Sequence, residues 1–394
     1  MPSTYGEYRS IFQGKQMPFA FVDLDLLDQN IEAVLQRAGN KQIRIASKSI
    51  RCTAILRYIF ASNPRFQGVM SYSVLEAVHL SQSGFDDLLV AYPAWHVEQI
   101  GLVCEQVKQG KTITLMVDSL EHIAQLDRIA SAHQVRLPVC MDIDLSYDLP
   151  MLHFGVWRSP ITSPETALKV YRAIAESSSL YLDGVMGYEA QIAGVGDGGK
   201  SARNRVIRWL KSRSILHLRQ RRCAILEALQ NAGAKPRFVN GGGTGSLEST
   251  SQESGVTEVA SGSAFFSPVV FDHYQHFKHQ PAAAFAIEIV RHPKADTYTC
   301  LGGGYVASGG LSPEKIPQPY LPVGASLTEF EAAGEVQTPI VYTGDEPLKL
   351  GDPIFMRHGK AGELCEHFNS LYLVRQGHIV DEVKTYRGEG YKFL

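Results

Sequence analysis

The stretch Gln42-Ile43-Arg44-Ile45-Ala46-Ser47-Lys48 opens a series of short β-branched runs, and its own alternation decides how they assemble. Successive side chains of an extended chain point to opposite faces. Ile43 and Ile45 therefore share one face, while Arg44, Ala46 and Lys48 share the other. Further runs follow at Gln67–Ser71, Asp87–Ala91, Ile113–Asp118, Leu137–Asp144, Leu182–Tyr188, Arg237–Asn240 and Thr257–Ser261. Between them lie helix-like stretches, among them Cys52–Ala61, Val74–Ser83, Trp95–Gln109, Leu120–His133, Pro164–Glu176 and Asn204–Ala232. Such alternation favours a parallel sheet, because parallel strands need a crossover of about a dozen residues or more. Eight runs before residue 265 match a closed (β/α)8 TIM barrel better than an open doubly wound sheet. In that barrel the apolar outer face of each strand meets the helices. The last inward residue opens onto the C-terminal mouth, where active sites of this fold lie. For the first strand that residue is Lys48.

Working outward, Phe19–Leu24 reads as a separate strand, and Asp25 as an N-cap for a helix with Leu26, Leu27, Ile31, Val34 and Leu35 on its apolar side. After about residue 275 helix periodicity fades, Gly and Pro become frequent and short strands appear. These are Phe285–Val290, Thr297–Leu301, Pro339–Tyr342, Ile354–Met356, Ser370–Val374 and His378–Val383. The expected organisation is an N-terminal arm and strand at 1–24 packing with the β domain, the barrel at 25–275, and an all-β domain at 276–394.

The 394 residues are 44% hydrophobic and 20% charged with a formal charge of −2, which gives no electrostatic reason to expect nucleic acid or an anionic membrane as partner. No apolar run approaches the roughly 18–20 residues that span a bilayer, and Met1–Gln16 lacks signal-peptide order. The six cysteines lie far apart and read as reduced thiols. A cytoplasmic enzyme is the expectation.

Two loops are chemically informative. Val239-Asn240-Gly241-Gly242-Gly243-Thr244-Gly245-Ser246 follows a strand, and glycines with a hydroxyl let backbone N–H groups cradle a phosphate. It lacks the spacing of a dinucleotide loop and the lysine of a nucleoside triphosphate loop, and a tight turn also explains it. The next strand ends in Ala260-Ser261-Gly262-Ser263, a second small-residue loop. Loops after strands seven and eight form the usual phosphate site of this barrel. The phosphate could belong to a cofactor or to a substrate. Lys48 alone fits a lysine reaching past the barrel rim. Beside a phosphate site it fits a Schiff-base lysine.

Phe21-Val22-Asp23-Leu24-Asp25, Ile45-Ala46-Ser47-Lys48-Ser49, Ser71-Tyr72-Ser73-Val74-Leu75-Glu76-Ala77, Gly184-Val185-Met186-Gly187-Tyr188 and the Gly241–Ser246 loop together resemble the alanine-racemase-type fold-type III pyridoxal-phosphate enzymes. With a C-terminal β domain, the chain is similar to their D-threonine aldolase and D-serine dehydratase branch, including proteins labelled amino acid deaminase/aldolase. The resemblance covers nearly the whole chain. It implies pyridoxal 5′-phosphate held by Lys48 as a Schiff base, with Lys48 also the base at the substrate Cα. Gly243, Thr244, Gly262 and Ser263 would contact the phosphate, and Arg158 would lie near the phenolic oxygen. Tyr188 stands where relatives place a histidine against the pyridine ring, and Gln191 near another such histidine.

The resemblance further implies a divalent metal (Zn, Mn or Mg), which relatives bind through a late His-x-Cys or His-x-Asp pair. Here Glu363 and Cys365 fall on that pair, with His358 and His367 nearby. A one-residue gap puts Glu363 and Cys365 on one face if the segment is extended; a polar segment in which Lys360 or Glu363 meets substrate is the other reading. The implied partners are a small amino acid substrate and a second copy of the chain, in a homodimer with active sites at the subunit interface. The implied activity is a lyase on D-β-hydroxy amino acids, by retro-aldol cleavage or dehydration. The alternatives are an amino acid racemase, with a β-domain tyrosine such as Tyr305 as second acid/base, and a non-catalytic cofactor-binding regulator.

Overall fold

The computed structural model describes residues 3–309, 312–360 and 362–394. It contains two compact units. One comprises residues up to Ala33, Ser49–Tyr58 and Ser263–Lys392; the other comprises Val34–Lys48, Ile59–Gly262 and Phe393–Leu394.

The second unit carries a closed barrel of eight parallel strands in sequence order: Gln42–Ala46, Phe66–Ser71, Leu88–Pro93, Ile113–Val117, Leu137–Asp142, Leu180–Gly187, Phe238–Gly241 and Glu258–Ser261. Each run read from the sequence is a strand, its ends shifted by one or two residues. Closure comes from strand eight pairing with strand one, Ser261 opposite Ile45. Side-chain parity holds along the first strand. Arg44 is fully buried and bonds Glu258 at 2.6 Å and Asp87 at 3.2 Å. Arg237 extends the cluster to Asp87 and Asp183, each at 2.8 Å. The Phe238 ring takes a guanidinium at 4.8 Å from Arg44 and at 5.1 Å from Arg237. Asp87, Arg237 and Glu258 lie at or before the starts of their strands, so this charged plug with Arg44 fills the N-terminal end of the barrel.

Above the plug sits an apolar layer of Met70, Leu89, Met116, Cys140, Met186 and Phe238. Two glycines admit it. A Cβ on Gly184 would meet the Phe238 ring at 2.2 Å, and one on Gly68 would meet the Arg44 guanidinium at 2.3 Å. Two residues further along their strands, Met116, Cys140 and Met186 are succeeded on the same face by Asp118, Asp142 and Tyr188. The barrel therefore passes from apolar to polar at its C-terminal mouth.

One expectation about the first strand needs correction. The strand ends at Ala46, and Lys48 lies in a 3-10 turn, Ser47–Ser49, with its side chain exposed rather than buried. The Ser47 hydroxyl donates to the Met70 carbonyl of strand two at 3.0 Å and turns the chain out of the ladder.

The first unit is built on a nine-stranded sheet. The strand Phe19–Asp23 runs antiparallel to Ala283–Lys294 and parallel to Ser370–Arg375. A helix, Tyr5–Ile11, precedes it, opened by a capping box between Thr4 and Glu7. The pattern Thr-x-x-Glu in the sequence is the signature of that box. Tyr8 from this helix donates to Asp23 at 2.6 Å and packs on Phe21 and Phe355. The strands Gln318–Leu321 and Ala325–Leu327 and the hairpin Tyr147–Leu149 and Leu152–Phe154 were not expected; each is too short for a two-residue period to register.

A second correction falls on the segment carrying Glu363 and Cys365. It is not extended: Glu363–His367 is a short helix, so positions two apart diverge around its axis instead of sharing a face.

Candidate active site at the barrel mouth

The polar layer gathers several predicted residues. Asp142, the last residue of strand five, is buried and accepts from Arg158 Nε at 3.0 Å. Arg158 also donates to the Ala91 carbonyl at 2.8 Å and lies 5.1 Å from the Tyr92 ring and 5.8 Å from the Tyr188 ring. Burial pushes the Asp142 carboxyl up to about 6 despite the opposing pull of Arg158, with Asp118 and Asp144 adding to the rise. Its second oxygen, Oδ1, is buried with no hydrogen-bond partner among the described residues. Such an atom is costly unless a ligand or water meets it. Burial, reinforced by Glu189 and Tyr92, raises the Tyr188 phenol to about 12, so it stays protonated at neutral pH.

Tyr188 also meets the glycine loop. Strands six and seven are in register at Gly187 and Gly241, which brings Tyr188 level with Gly242. A Cβ on Gly243 would stand 2.9 Å from the Ala193 Cβ and 3.2 Å from the Tyr188 ring, so only glycine lets the backbone lie against that ring. Gly242 has φ +86°, the left-handed region. Internally, Gly243 N–H donates to Ser246 Oγ at 3.1 Å, Ser246 N–H returns to the Gly243 carbonyl at 2.9 Å, and Arg37 holds the Thr244 carbonyl at 2.6 Å. Across the barrel, the Ser261–Ile45 pairing sets Gly262 level with Ala46, two residues before Lys48. Ser263 falls in the other unit, its hydroxyl 2.8 Å from that of Ser49.

Arg158 and Gly243 both meet the Tyr188 ring, while Lys48 and Gly262 each follow the end of one of two paired strands. Sequence reasoning missed Asp142 and Glu189. Asp142 had a signal: in Met141-Asp142-Ile143-Asp144 the acids alternate with apolar residues on the strand's inward face. Gln191 is tied into the scaffold, donating to the Leu145 carbonyl at 2.7 Å and the Ser214 hydroxyl at 2.8 Å.

The metal donors do not assemble as a pair. Cys365 is fully buried, and burial holds its thiol well above the ordinary range. The Glu363 carboxylate accepts from the Ser308 N–H and hydroxyl at 3.2 and 3.1 Å. His358 is buried, and burial lowers it to about 4. Among the described residues no group of three His, Cys, Asp or Glu side chains is disposed to hold a metal ion.

A closed (β/α)8 barrel with a glycine loop after its seventh strand and a separate β sheet is the fold the chain shows. Residues 22–268 match the family "Alanine racemase, N-terminal domain", and the chain belongs to that family. The fold family supports pyridoxal phosphate as cofactor. The 3-hydroxy-D-aspartate aldolase of Paracoccus denitrificans (strain Pd 1222) is 27% identical over 258 residues, 64% of this chain. That match spans 60% of the aldolase, less than two thirds of its length. The crystal structure of D-threonine aldolase from Filomicrobium marinum has a TM-score of 0.80 at 18% identity, covering 95% of each chain. D-threo-3-hydroxyaspartate dehydratase from Delftia sp. HT23 has a TM-score of 0.76 at 17% identity, covering 94% of this chain and 98% of the other. Both likenesses are of fold.

Proposed function

We propose that the chain is a pyridoxal-phosphate-dependent lyase acting on D-configured β-hydroxy amino acids, with Lys48 as its cofactor lysine. The observation that carries this reading is the mouth itself: the Tyr188 ring meets both the Gly243 backbone and the Arg158 guanidinium, and Asp142, which holds Arg158, keeps a buried oxygen with no partner among the described residues. A glycine cradle, a flat aromatic face and a cation suit a phosphorylated aromatic cofactor. When bound, that cofactor supplies an electron-accepting ring for charge developing at the substrate Cα.

In this reading the backbone of Gly243, Thr244, Gly262 and Ser263 binds the phosphate. Tyr188 packs against the ring and Arg158, held by Asp142, orients it. The Lys48 Nζ would hold the cofactor through its aldehyde group and would move the proton at the substrate Cα. Neutral Tyr188 gives the site no histidine-like proton shuttle on that face. No step is assigned to a metal, because Glu363 and Cys365 diverge. The division into 1–24, 25–275 and 276–394, a homodimer and a cytoplasmic setting belong to the same proposal. The setting is supported by Cys52, Cys140, Cys300 and Cys365 each being buried as a thiol.

The test has two parts. Protein supplied with pyridoxal phosphate is expected to show visible absorbance that Lys48→Ala abolishes; a colourless wild type defeats the cofactor reading. Product analysis then assigns the reaction. D-threonine giving glycine and acetaldehyde, or D-3-hydroxyaspartate giving glycine and glyoxylate, means retro-aldol cleavage. A 2-oxo acid with ammonia means dehydration. Inversion at Cα without either product overturns the lyase in favour of a racemase.

A further inference from the structure

Directly after Tyr188, the chain places a carboxylate where an anion-binding loop would least tolerate one. Glu189 is 1% exposed, and its Oε2 accepts the Gly242 N–H at 2.9 Å. Its Oε1 accepts the Thr250 hydroxyl and faces Arg222 Nη2 at 3.4 Å. Arg222 is equally buried, pairs with Glu253 at 2.6 Å and donates to the Gly187 carbonyl at 3.1 Å. Its guanidinium lies over Gly241, where a Cβ would approach Nη2 to 3.1 Å.

Two physical consequences follow. A buried carboxylate is tolerated only when paired, and Arg222 supplies the opposite charge, which also offsets repulsion of a neighbouring phosphate. Gly242 sits at φ +86°, yet a Cβ there would meet nothing closer than 3.5 Å. Space does not fix that backbone conformation; the hydrogen bond from its N–H to the Glu189 side-chain oxygen does. The loop is then braced at three points: Gly242 from Glu189, Thr244 from Arg37, and Gly243 from Ser246.

We infer that Glu189 is a positioning residue: by holding the Gly242 N–H it sets the shape of the Gly241–Ser246 loop for the cofactor's phosphate, and does so through its reach rather than its charge. The inference rests on the pyridoxal-phosphate reading of the same mouth. Two variants separate reach from charge. Glu189→Asp keeps the charge against Arg222 but withdraws the carboxylate by one methylene. Glu189→Gln keeps the length and an acceptor oxygen but removes the charge.

The measurement is titration of cofactor-stripped full-length protein with pyridoxal phosphate and with pyridoxal, read by absorbance. The ratio of the two affinities isolates the phosphate's contribution. Glu189→Asp is expected to lower that ratio by about tenfold, the scale of one hydrogen bond, with pyridoxal affinity unchanged. Glu189→Gln is expected to keep the ratio within about threefold of wild type. A merely structural role would weaken both ligands together and leave the ratio alone, which overturns the inference. The reverse pattern, Asp tolerated and Gln damaging, assigns the effect to charge and also overturns it. Wild-type protein with no preference for pyridoxal phosphate over pyridoxal marks a different failure, that of the cofactor reading itself.

Discussion

Asp142 shows what burial does to a single carboxyl at the mouth. Arg158 alone would depress it, yet burial wins and lifts it to about 6. A carboxyl whose folded value exceeds its unfolded one contributes stability that is fully present below about pH 4 and lost as pH rises through about 6. A rise of two units corresponds to about 3 kcal/mol. Asp142→Asn removes this titration. Between pH 4 and 6 the variant's stability is expected to gain on wild type by up to about 3 kcal/mol, measured by urea denaturation at both values. Parallel pH profiles for the two proteins would remove Asp142 from this role. Lys48 teaches a complementary lesson at the same scale. Its position at the end of strand one was legible from alternation alone. Its exposure was not, because that depends on the bond from Ser47 to the Met70 carbonyl, a contact between strands that no local pattern encodes. The Glu189–Gly242 bond was hidden for the same reason.

Most barrel strands were legible because a short apolar run is followed by an amphipathic helix; between strands seven and eight only the five-residue helix Leu247–Ser251 intervenes, and there the glycine loop marked the boundary. Where an element is shorter than its own period, the signal fails. The five residues Glu363–His367 make little more than one helical turn, too few for a helical period to register. The resemblance puts Glu363 and Cys365 on the metal pair, and only an extended segment would have given them one face. Strand six carries the sharpest consequence of packing inside the barrel. Gly184 leaves the volume that the Phe238 ring occupies, and the ring is flanked by Arg44 and Arg237. Gly184→Ala is therefore expected to destabilise the protein by about 2 kcal/mol, the scale of core overpacking. Phe238→Leu in the same chain should recover at least half of that loss, since the added methyl then replaces ring volume. Additive losses in the double variant, by thermal or urea unfolding, would show that the two positions do not share this space.

At the scale of the whole molecule, two of the barrel's mouth-side loops expose large apolar side chains. Tyr92 and Trp95 after strand three are exposed, and after strand five Met151 and Trp157 stand almost wholly in solvent, Trp157 at 87%. Among the described residues no helix is long and apolar enough to cross a membrane, so these side chains are not part of a helical span. Apolar groups gathered at one end of a barrel mark an interaction surface. A second copy of this chain is the partner that the homodimer proposal supplies, and an isologous contact would cover the same loops on both copies. Sedimentation equilibrium at micromolar concentration is expected to return twice the 43.4 kDa chain mass. Trp157→Arg should shift the protein toward monomer, because an unpaired charge enters a contact that buries apolar surface. In wild type the tryptophan emission should move to longer wavelength on dilution, as Trp157 returns to water. A monomer at micromolar concentration, or a dimer indifferent to Trp157→Arg, would place these loops outside the subunit contact. The exposed Lys48 would then belong to a mouth that one chain completes alone.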